Sequence, residues 1–343
     1  MTSNKSVAVY GAYGHTGRFV VSELLRRGWT PILSGRDSGK LDALVAEHPG
    51  LALRPASVDD AASLDRALAG AVAVINCAGP FASTSAPLIE AAMRAHIPYL
   101  DVAAELEANI DTFNLFADRA REAGIVVVHA MAFYGGLGDL LATAAMDSWT
   151  SADEISIAYG LDSWKPTTGT LVAGQVSKQR RDGRRAVFAD GKIAYTTGAA
   201  PSGEWTFPAP LGKQAVVGEF TMADTVTISR HLNTPEIRSY MTATAVRDLT
   251  DPNPQAPVAS DESGLSQQTF VVEVLVRRGG QERRATASGR DIYGFTAPLV
   301  VEALGRVVAG QVKTAGVFTA GEAFDARDFL ASLSPAHLSL EMR

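Results

Sequence analysis

The stretch of this chain richest in chemistry is Gly11-Ala12-Tyr13-Gly14-His15-Thr16-Gly17, three glycines spaced three residues apart. It follows the apolar run Val7-Ala8-Val9-Tyr10. It precedes a segment whose Phe19, Val20, Leu24 and Leu25 fall on one helical face. Between a strand and a helix such glycines have separate duties. The first makes the tight turn, the second lets backbone approach a pyrophosphate, and the third lets the helix pack closely on the strand. The helix N-terminus then offers N–H groups and a positive dipole to the phosphates. The chemistry is dinucleotide binding, with Tyr13, His15 and Thr16 completing the loop.

The next informative group, Ser34-Gly35-Arg36-Asp37, ends the second strand. NAD-binding proteins usually place an acid there for the ribose 2′-OH. Arg36 instead suits a 2′-phosphate and the adenine face, and Lys40 adds charge one turn later. NADP(H) is therefore favoured, with Asp37 leaving some NAD use open. The plainer readings are a solvated Arg36 and an Asp37 that only caps a helix. Val58-Asp59, after the third strand, falls where adenine would lie, and Asp59 reads equally as a helix cap. After the fourth strand, Asn76-Cys77-Ala78-Gly79-Pro80-Phe81 supplies small residues that let the nicotinamide half approach backbone. Cys77 reads as a nucleophile or, as is commoner for a lone strand-end cysteine, as a small buried hydrophobe.

Reducing C=O or C=N also needs a proton donor. None of the eight tyrosines has a lysine four residues on, which excludes the Tyr-x-x-x-Lys device of short-chain dehydrogenases. Two catalytic candidates remain. Tyr134 follows the sixth strand, where the sheet edge should open, and reads equally as a packed aromatic. Lys165, at the expected start of the second domain's first helix, would bind a carboxylate or donate a proton, against the simpler reading of a surface lysine. His129 is a third donor candidate, at a strand end where structural histidines are common. The basic run Arg180-Arg181-Asp182-Gly183-Arg184-Arg185 would hold an acidic substrate or a carrier protein, or be a solvated turn. Six scattered histidines and one cysteine give no metal-ligand spacing.

The elements that must position these groups alternate regularly at first. Strands are expected at 7–10, 31–35, 51–54, 72–76, 98–101 and 125–128. Helices are expected at 16–27, 38–47, 59–68, 87–95 and 110–123. After about residue 147 the texture changes to a strand at 154–159, hairpins at 185–195 and 269–288, a loop at 251–267, and helices at 296–309 and 325–332. The fold class is α/β: an N-terminal Rossmann domain with a parallel sheet, plus a second α+β domain with a mixed, mainly antiparallel sheet. The expected division is 1–130 for NADP binding, 131–290 for substrate and dimerisation, and 291–343 as C-terminal helices packing back on the Rossmann domain.

Bulk properties narrow the partners. A net charge of −6 from 31 basic and 37 acidic residues argues against nucleic acid. No apolar run is long enough to span a membrane and no signal peptide is visible, so a cytoplasmic protein acting on a small molecule is expected. The mixed sheet could pair across a two-fold axis as a homodimer.

Taken in order, Gly11 to Arg18, Ser34-Gly35-Arg36-Asp37, Val74 to Phe81 and Tyr99-Leu100-Asp101-Val102-Ala103-Ala104-Glu105 resemble the saccharopine dehydrogenase-like oxidoreductases, including trans-acting enoyl reductases. Gly289 to Ala297 and Ala315 to Thr319 resemble that family's C-terminal part. The resemblance implies an NADP(H)-binding Rossmann domain, contacts from Ala103 among others, and hydride transfer to or from C=N, C=O or C=C. It departs at Ala132-Phe133-Tyr134-Gly135-Gly136-Leu137-Gly138-Asp139, where the family often has Gly-Phe-Asp-x-x-Pro-x-Asp, and at Ala104, where it has Gly. From the resemblance a reductase of a small metabolite in secondary or amino-acid-related metabolism is expected. C=N or C=O reduction comes first and enoyl reduction second, and a non-catalytic NADP-binding regulator is the reading from another class.

Overall fold

The computed structural model describes residues 5–343. The chain forms two compact units. The first takes the described residues up to Ala132 together with Thr296–Thr319, and the second takes Phe133–Phe295 with Ala320–Arg343.

In the first unit apolar β-branched runs alternate with amphipathic helices. In chain order these are β1 (Ser6–Tyr10), α1 (His15–Arg26), β2 (Thr30–Gly35), α2 (Ser38–Glu47), β3 (Ala52–Pro55), α3 (Ala61–Leu68), β4 (Ala73–Asn76), α4 (Phe81–Ala95), β5 (Tyr99–Asp101), α5 (Leu106–Glu122) and β6 (Val126–Val128). All strand pairings in this sheet are parallel. The order runs β6-β5-β4-β1-β2-β3, so the chain reverses direction across the sheet between β1 and β4. Loops that follow these two strands diverge there and leave a crevice at the carboxyl edge, the usual dinucleotide position. One core cluster joins Ala8, Ile32, Val74, Leu88, Tyr99, Phe116 and Val127 under this edge.

In the second unit the elements are α6 (Gly138–Met146), β7 (Glu154–Leu161), α7 (Thr168–Arg180), β8 (Arg185–Ala189), β9 (Lys192–Thr196), β10 (Ser202–Thr206), β11 (Lys213–Gly218), α8 (Ala223–His231), β12 (Ile237–Thr242), α9 (Ala243–Leu249), β13 (Thr269–Arg278) and β14 (Gln281–Arg290). Then come α10 (Ile292–Val308), β15 (Gly316–Phe318), α11 (Ala320–Ala323), α12 (Ala326–Leu333) and β16 (Ser339–Met342). The sheet runs β10-β11-β12-β7-β13-β14-β16, with β8 and β9 attached beside β12. Only β12 and β7 pair in parallel, so the sheet is mixed and mainly antiparallel. Ala158, Phe207, Val216 and Val271 form an apolar cluster on it, and α6 packs on β13 and β14.

The segment 291–343 does not act as one body. β15 adds a seventh parallel strand beside β6, and Arg27 on α1 pairs with Glu302 at 2.6 Å. By contrast β16 pairs with β14, and α12 buries Phe329, Leu330 and Leu333. The alternating Ser-Leu-Glu-Met of β16 suits a half-exposed edge strand, which separates it from the preceding helices. Two expected starts also shift. α3 begins at Ala61 with Asp60, not Asp59, as its cap. α7 begins at Thr168, capped by Thr167, so Lys165 lies ahead of it in the connecting loop.

Among the described residues, no helix is long and apolar enough to cross a membrane, and no group of three or more metal-ligating side chains gathers.

Candidate functional site

The β1–α1 turn is shaped by close approach. Gly11 has φ 82° and packs against Ala78, which a Cβ would meet at 2.9 Å. A Cβ on Gly17 would run into the carbonyl oxygen of Gly11. Gly14 occupies the N-cap of α1 with no side-chain cap, and no acidic residue lies in the first turn. The helix therefore presents an unscreened positive end at the crevice. At the end of β2 the ring of Tyr13 lies over Gly35, where a Cβ would sit 2.7 Å from it. Lys40 sits 5.7 Å above the Tyr13 ring centre, and Asp37 caps α2 by accepting the Lys40 N–H at 3.0 Å. Arg36 is exposed and forms no ion pair among the described residues. Burial raises the Tyr10 phenol's pKa; Tyr13 and Asp59 add to this, and Arg36 opposes it, so these groups share one neighbourhood. An unpaired guanidinium, an aromatic face and a bare helix N-terminus together fit the 2′-phosphate, adenine and pyrophosphate of NADP.

Beyond β4 and β5 the loops are held from beneath by buried polar side chains. Asn76 accepts the Ala78 N–H at 3.0 Å and donates to Tyr99 Oη at 3.1 Å and Thr84 Oγ1 at 3.2 Å. Asp101 is wholly buried. Its Oδ1 accepts the Ala103 and Ala130 N–H groups at 3.1 and 2.8 Å, and its Oδ2 the Tyr99 hydroxyl at 2.9 Å. Oδ2 also meets His129 Nδ1 at 2.6 Å. Glu105 accepts the Phe81 N–H at 2.8 Å and the Ala82 N–H at 3.2 Å. Burial raises the Cys77 thiol's pKa far above its ordinary value, with the Asp101 charge adding to it. A thiol so held is not a thiolate nucleophile, and the hydrophobe reading of Cys77 stands.

The second unit carries a different polar group. Tyr134 and Gly135 break the turn Phe133–Leu137 with non-helical backbone angles. The Tyr134 ring packs 4.9 Å from Tyr159 and 5.3 Å from Trp164, centre to centre. Asp224 Oδ1 accepts the Gly135 N–H at 2.9 Å. Its Oδ2, the Tyr134 hydroxyl and the Tyr159 hydroxyl are buried without partners of hydrogen-bonding geometry. Burial pushes the Asp224 carboxyl up to about 6 and both phenols well above their ordinary values. Nearby, His231 bonds Asp139 at 2.7 Å, and Asp139 also accepts the Gly321 N–H at 2.7 Å.

Residues 7–128 match the saccharopine dehydrogenase NADP-binding domain. The chain carries that domain. Its sequence is 28% identical over 183 residues to a probable mitochondrial saccharopine dehydrogenase-like oxidoreductase of Arabidopsis thaliana, across 48% of this chain and 40% of that protein. It is 27% identical over 146 residues to a saccharopine dehydrogenase-like oxidoreductase of Bos taurus, across 37% of this chain and 34% of that protein. These alignments thus span well under half of both relatives. The fold is similar over 99% of this chain and 100% of the other to apo saccharopine dehydrogenase (L-Glu forming) of Saccharomyces cerevisiae, with TM-score 0.69 and 13% identity. The cofactor of the saccharopine dehydrogenase-like unit is NADP(H).

On this saccharopine dehydrogenase-like frame the expected cofactor residues gather at one sheet edge. Gly11, Tyr13, Gly14, His15, Thr16 and Gly17 follow β1, and Gly35, Arg36, Asp37 and Lys40 follow β2. Val58 and Asp59 follow β3, Cys77 to Phe81 follow β4, and Ala103 follows β5. Tyr134 and Lys165 belong to the second unit, where Tyr134 is buried and Lys165 is exposed. Composition and spacing gave no warning of the Glu105 clamp or of buried Asp224. Each acts on backbone far away in sequence, 24 and 89 residues respectively.

Proposed function

We propose that this chain is an NADPH-dependent reductase that delivers hydride to a C=N or C=O carbon of a small organic metabolite. The observation that carries this reading is the NADP cradle, in which bare Arg36 and the uncapped α1 terminus meet one sheet edge. The fold shared along the whole chain with a saccharopine dehydrogenase supports it. Bound NADPH would supply the hydride; the chain supplies position and a proton.

Tyr134 is the proposed donor in preference to Lys165. Its phenol stays protonated at neutral pH and lies beside a protonatable acid, Asp224, whereas Lys165 is a solvated side chain ahead of α7. The Tyr134 hydroxyl has no exposed surface, so donation requires the Phe133–Leu137 turn to open. Gly135, at φ 113°, is the natural hinge. The same sealing favours enoyl reduction as a second reading, because the enolate left by hydride addition can take its proton from water rather than from Tyr134.

The test is NADPH oxidation against a panel of imines, ketones and enoyl compounds, with Tyr134→Phe alongside. The proposal expects turnover on an imine or ketone, and a loss of about a hundredfold or more in kcat for the variant with NADPH binding unchanged. Turnover confined to enoyl compounds selects the second reading. Tight NADPH binding with no turnover on any class would leave a cofactor-sensing regulator instead. Cytoplasmic location and a homodimer through the mixed sheet belong to the same proposal; a monomer by light scattering would remove the dimer.

A further inference from the structure

Two helices start side by side at the carboxyl edge of the first sheet, α1 after β1 and α4 after β4. Neither is capped by its own N-cap side chain, Gly14 in one case and Pro80 in the other. A helix N-terminus leaves several N–H groups without intrahelical partners. At α1 the Gly14 cap offers them no side chain, and no acidic residue lies in the first turn. At α4 the carboxylate of Glu105, brought in by the β5–α5 loop, takes the first two N–H groups, those of Phe81 and Ala82. Glu105 is 7% exposed, and its loop is fixed in turn by Asp101, whose Oδ1 holds the Ala103 N–H. The turn that Glu105 grips is Gly79-Pro80-Phe81. The same turn is anchored at its other end by Asn76, which holds Ala78, the residue in contact with Gly11.

We propose that Glu105 is a positioning residue for the nicotinamide half of NADP(H): a built-in carboxylate that closes the N-terminus of α4 against phosphate and holds Gly79–Phe81 as the wall for the nicotinamide ribose. The proposal rests on the cofactor orientation given above, with pyrophosphate at α1 and the 2′-phosphate at Arg36. Two physical consequences follow. Phosphate has one helix terminus to choose rather than two, so the cofactor cannot bind shifted by one strand. The wall also depends on a carboxylate accepting two bonds at once, which a protonated acid does less well. Burial raises the pKa of Glu105, the Phe81 and Ala82 N–H groups oppose the rise, and the charges of Asp101 and Glu107 add to it. Acidification therefore loosens this wall earlier than an ordinary glutamate would allow.

The experiment compares two ligands on Glu105→Gln and the unmodified chain by fluorescence and calorimetric titration. One ligand is NADPH. The other is 2′-phospho-ADP-ribose, which keeps the adenine, both phosphate sites and the second ribose but lacks nicotinamide. Losing one charge-assisted bond should weaken NADPH roughly tenfold, with 2′-phospho-ADP-ribose changed less than twofold. The affinity ratio of the two ligands should fall on acidification in the unmodified chain and stay flat in the variant. Equal weakening of both ligands would overturn the proposal and make Glu105 a structural cap only. No weakening of either would also overturn it. The cofactor orientation has its own control: if Arg36→Ala leaves 2′-phospho-ADP-ribose binding intact, the orientation itself fails, whatever Glu105 does. Should Glu105→Gln fold poorly, Glu105→Asp provides the second variant, which keeps the charge, withdraws it from the helix and should show the same ligand-selective loss.

Discussion

Asp101 in the first unit and Asp224 in the second are both buried, 0% and 2% exposed, yet their oxygens keep different company. Asp101 meets four partners, two backbone N–H groups, a phenol and an imidazole nitrogen. Asp224 meets one firm donor, the Gly135 N–H, with the Tyr159 phenol interacting more weakly, and its Oδ2 is left without a partner. Buried polar atoms are nearly always satisfied, so an exception asks for a reason. In the cofactor unit the carboxylate behind the crevice, Asp101, has both oxygens partnered, and the groups facing the ligand, Arg36 and the α1 terminus, are left bare. In the second unit it is a buried acid that is left under-satisfied, with its pKa raised towards neutrality. The difference teaches that a saturated carboxylate marks the scaffold of a preformed binding site, whereas the under-satisfied one marks an acid that keeps its proton closer to neutral pH.

The comparison breaks first at Asp101. Replacing it with Asn removes the charge that faces His129 and two backbone N–H groups and forces an amide donor among donors. Uncompensated disruption of a buried polar pair costs about 3–5 kcal/mol. Asp101→Asn should therefore lower urea stability by that order; a change under about 1 kcal/mol would show that the network is not the scaffold claimed here. Asp224→Asn should act in the opposite sense. The folded carboxyl titrates at about 6 against an ordinary 3.8, so the folded protein holds the proton more tightly. Its contribution to stability is complete below about pH 4 and is lost as pH rises through about 6, a swing of about 3 kcal/mol. An Asn side chain imitates the protonated acid. Urea unfolding of Asp224→Asn should lack that decline, so the variant gains on the unmodified chain between about pH 4 and 6, about 3 kcal/mol in all. Parallel pH profiles for both proteins would refute the raised carboxyl pKa.

The two units also differ in how far they can be read from sequence. The cofactor edge is legible because its signals are local. The glycine triplet adjoins its own strand and helix, Arg36 and Lys40 lie within one turn, and Asp37 caps the helix it precedes. Reading fails where a distant residue takes over a local task. Pro87 suggests a helix starting there, but α4 starts at Phe81 because Glu105 supplies the cap. The proline then sits in the second turn. In the second unit, β10 is mostly exposed and β11 mixes exposed, half-buried and buried positions, and α7 buries only Ser177. Such elements depend on sheet partners, not on an apolar periodicity of their own. The parallel pairing of β12 with β7 joins residues some eighty positions apart and leaves no local trace.

The smallest expected effect falls on the bare side of the comparison and tests it most directly. Arg36 makes no ion pair among the described residues, so removing it breaks no bond within the protein. Stability should stay within about 0.5 kcal/mol in Arg36→Ala, as for most exposed sites. Binding should change instead. A guanidinium bonded to a 2′-phosphate is worth about 1.5–3 kcal/mol, so NADPH should weaken roughly ten- to a hundredfold. NADH lacks that phosphate and should bind the variant as it binds the unmodified chain. Titrating both cofactors against both proteins resolves the outcomes. A loss shared equally by NADPH and NADH would mean that Arg36 stacks on adenine only, and the 2′-phosphate would have to be held by Lys40 alone. A loss of folding stability with binding retained would place Arg36 among the saturated scaffold groups, and the contrast between bare ligand-facing residues and satisfied supporting ones would fail at the residue on which it most depends.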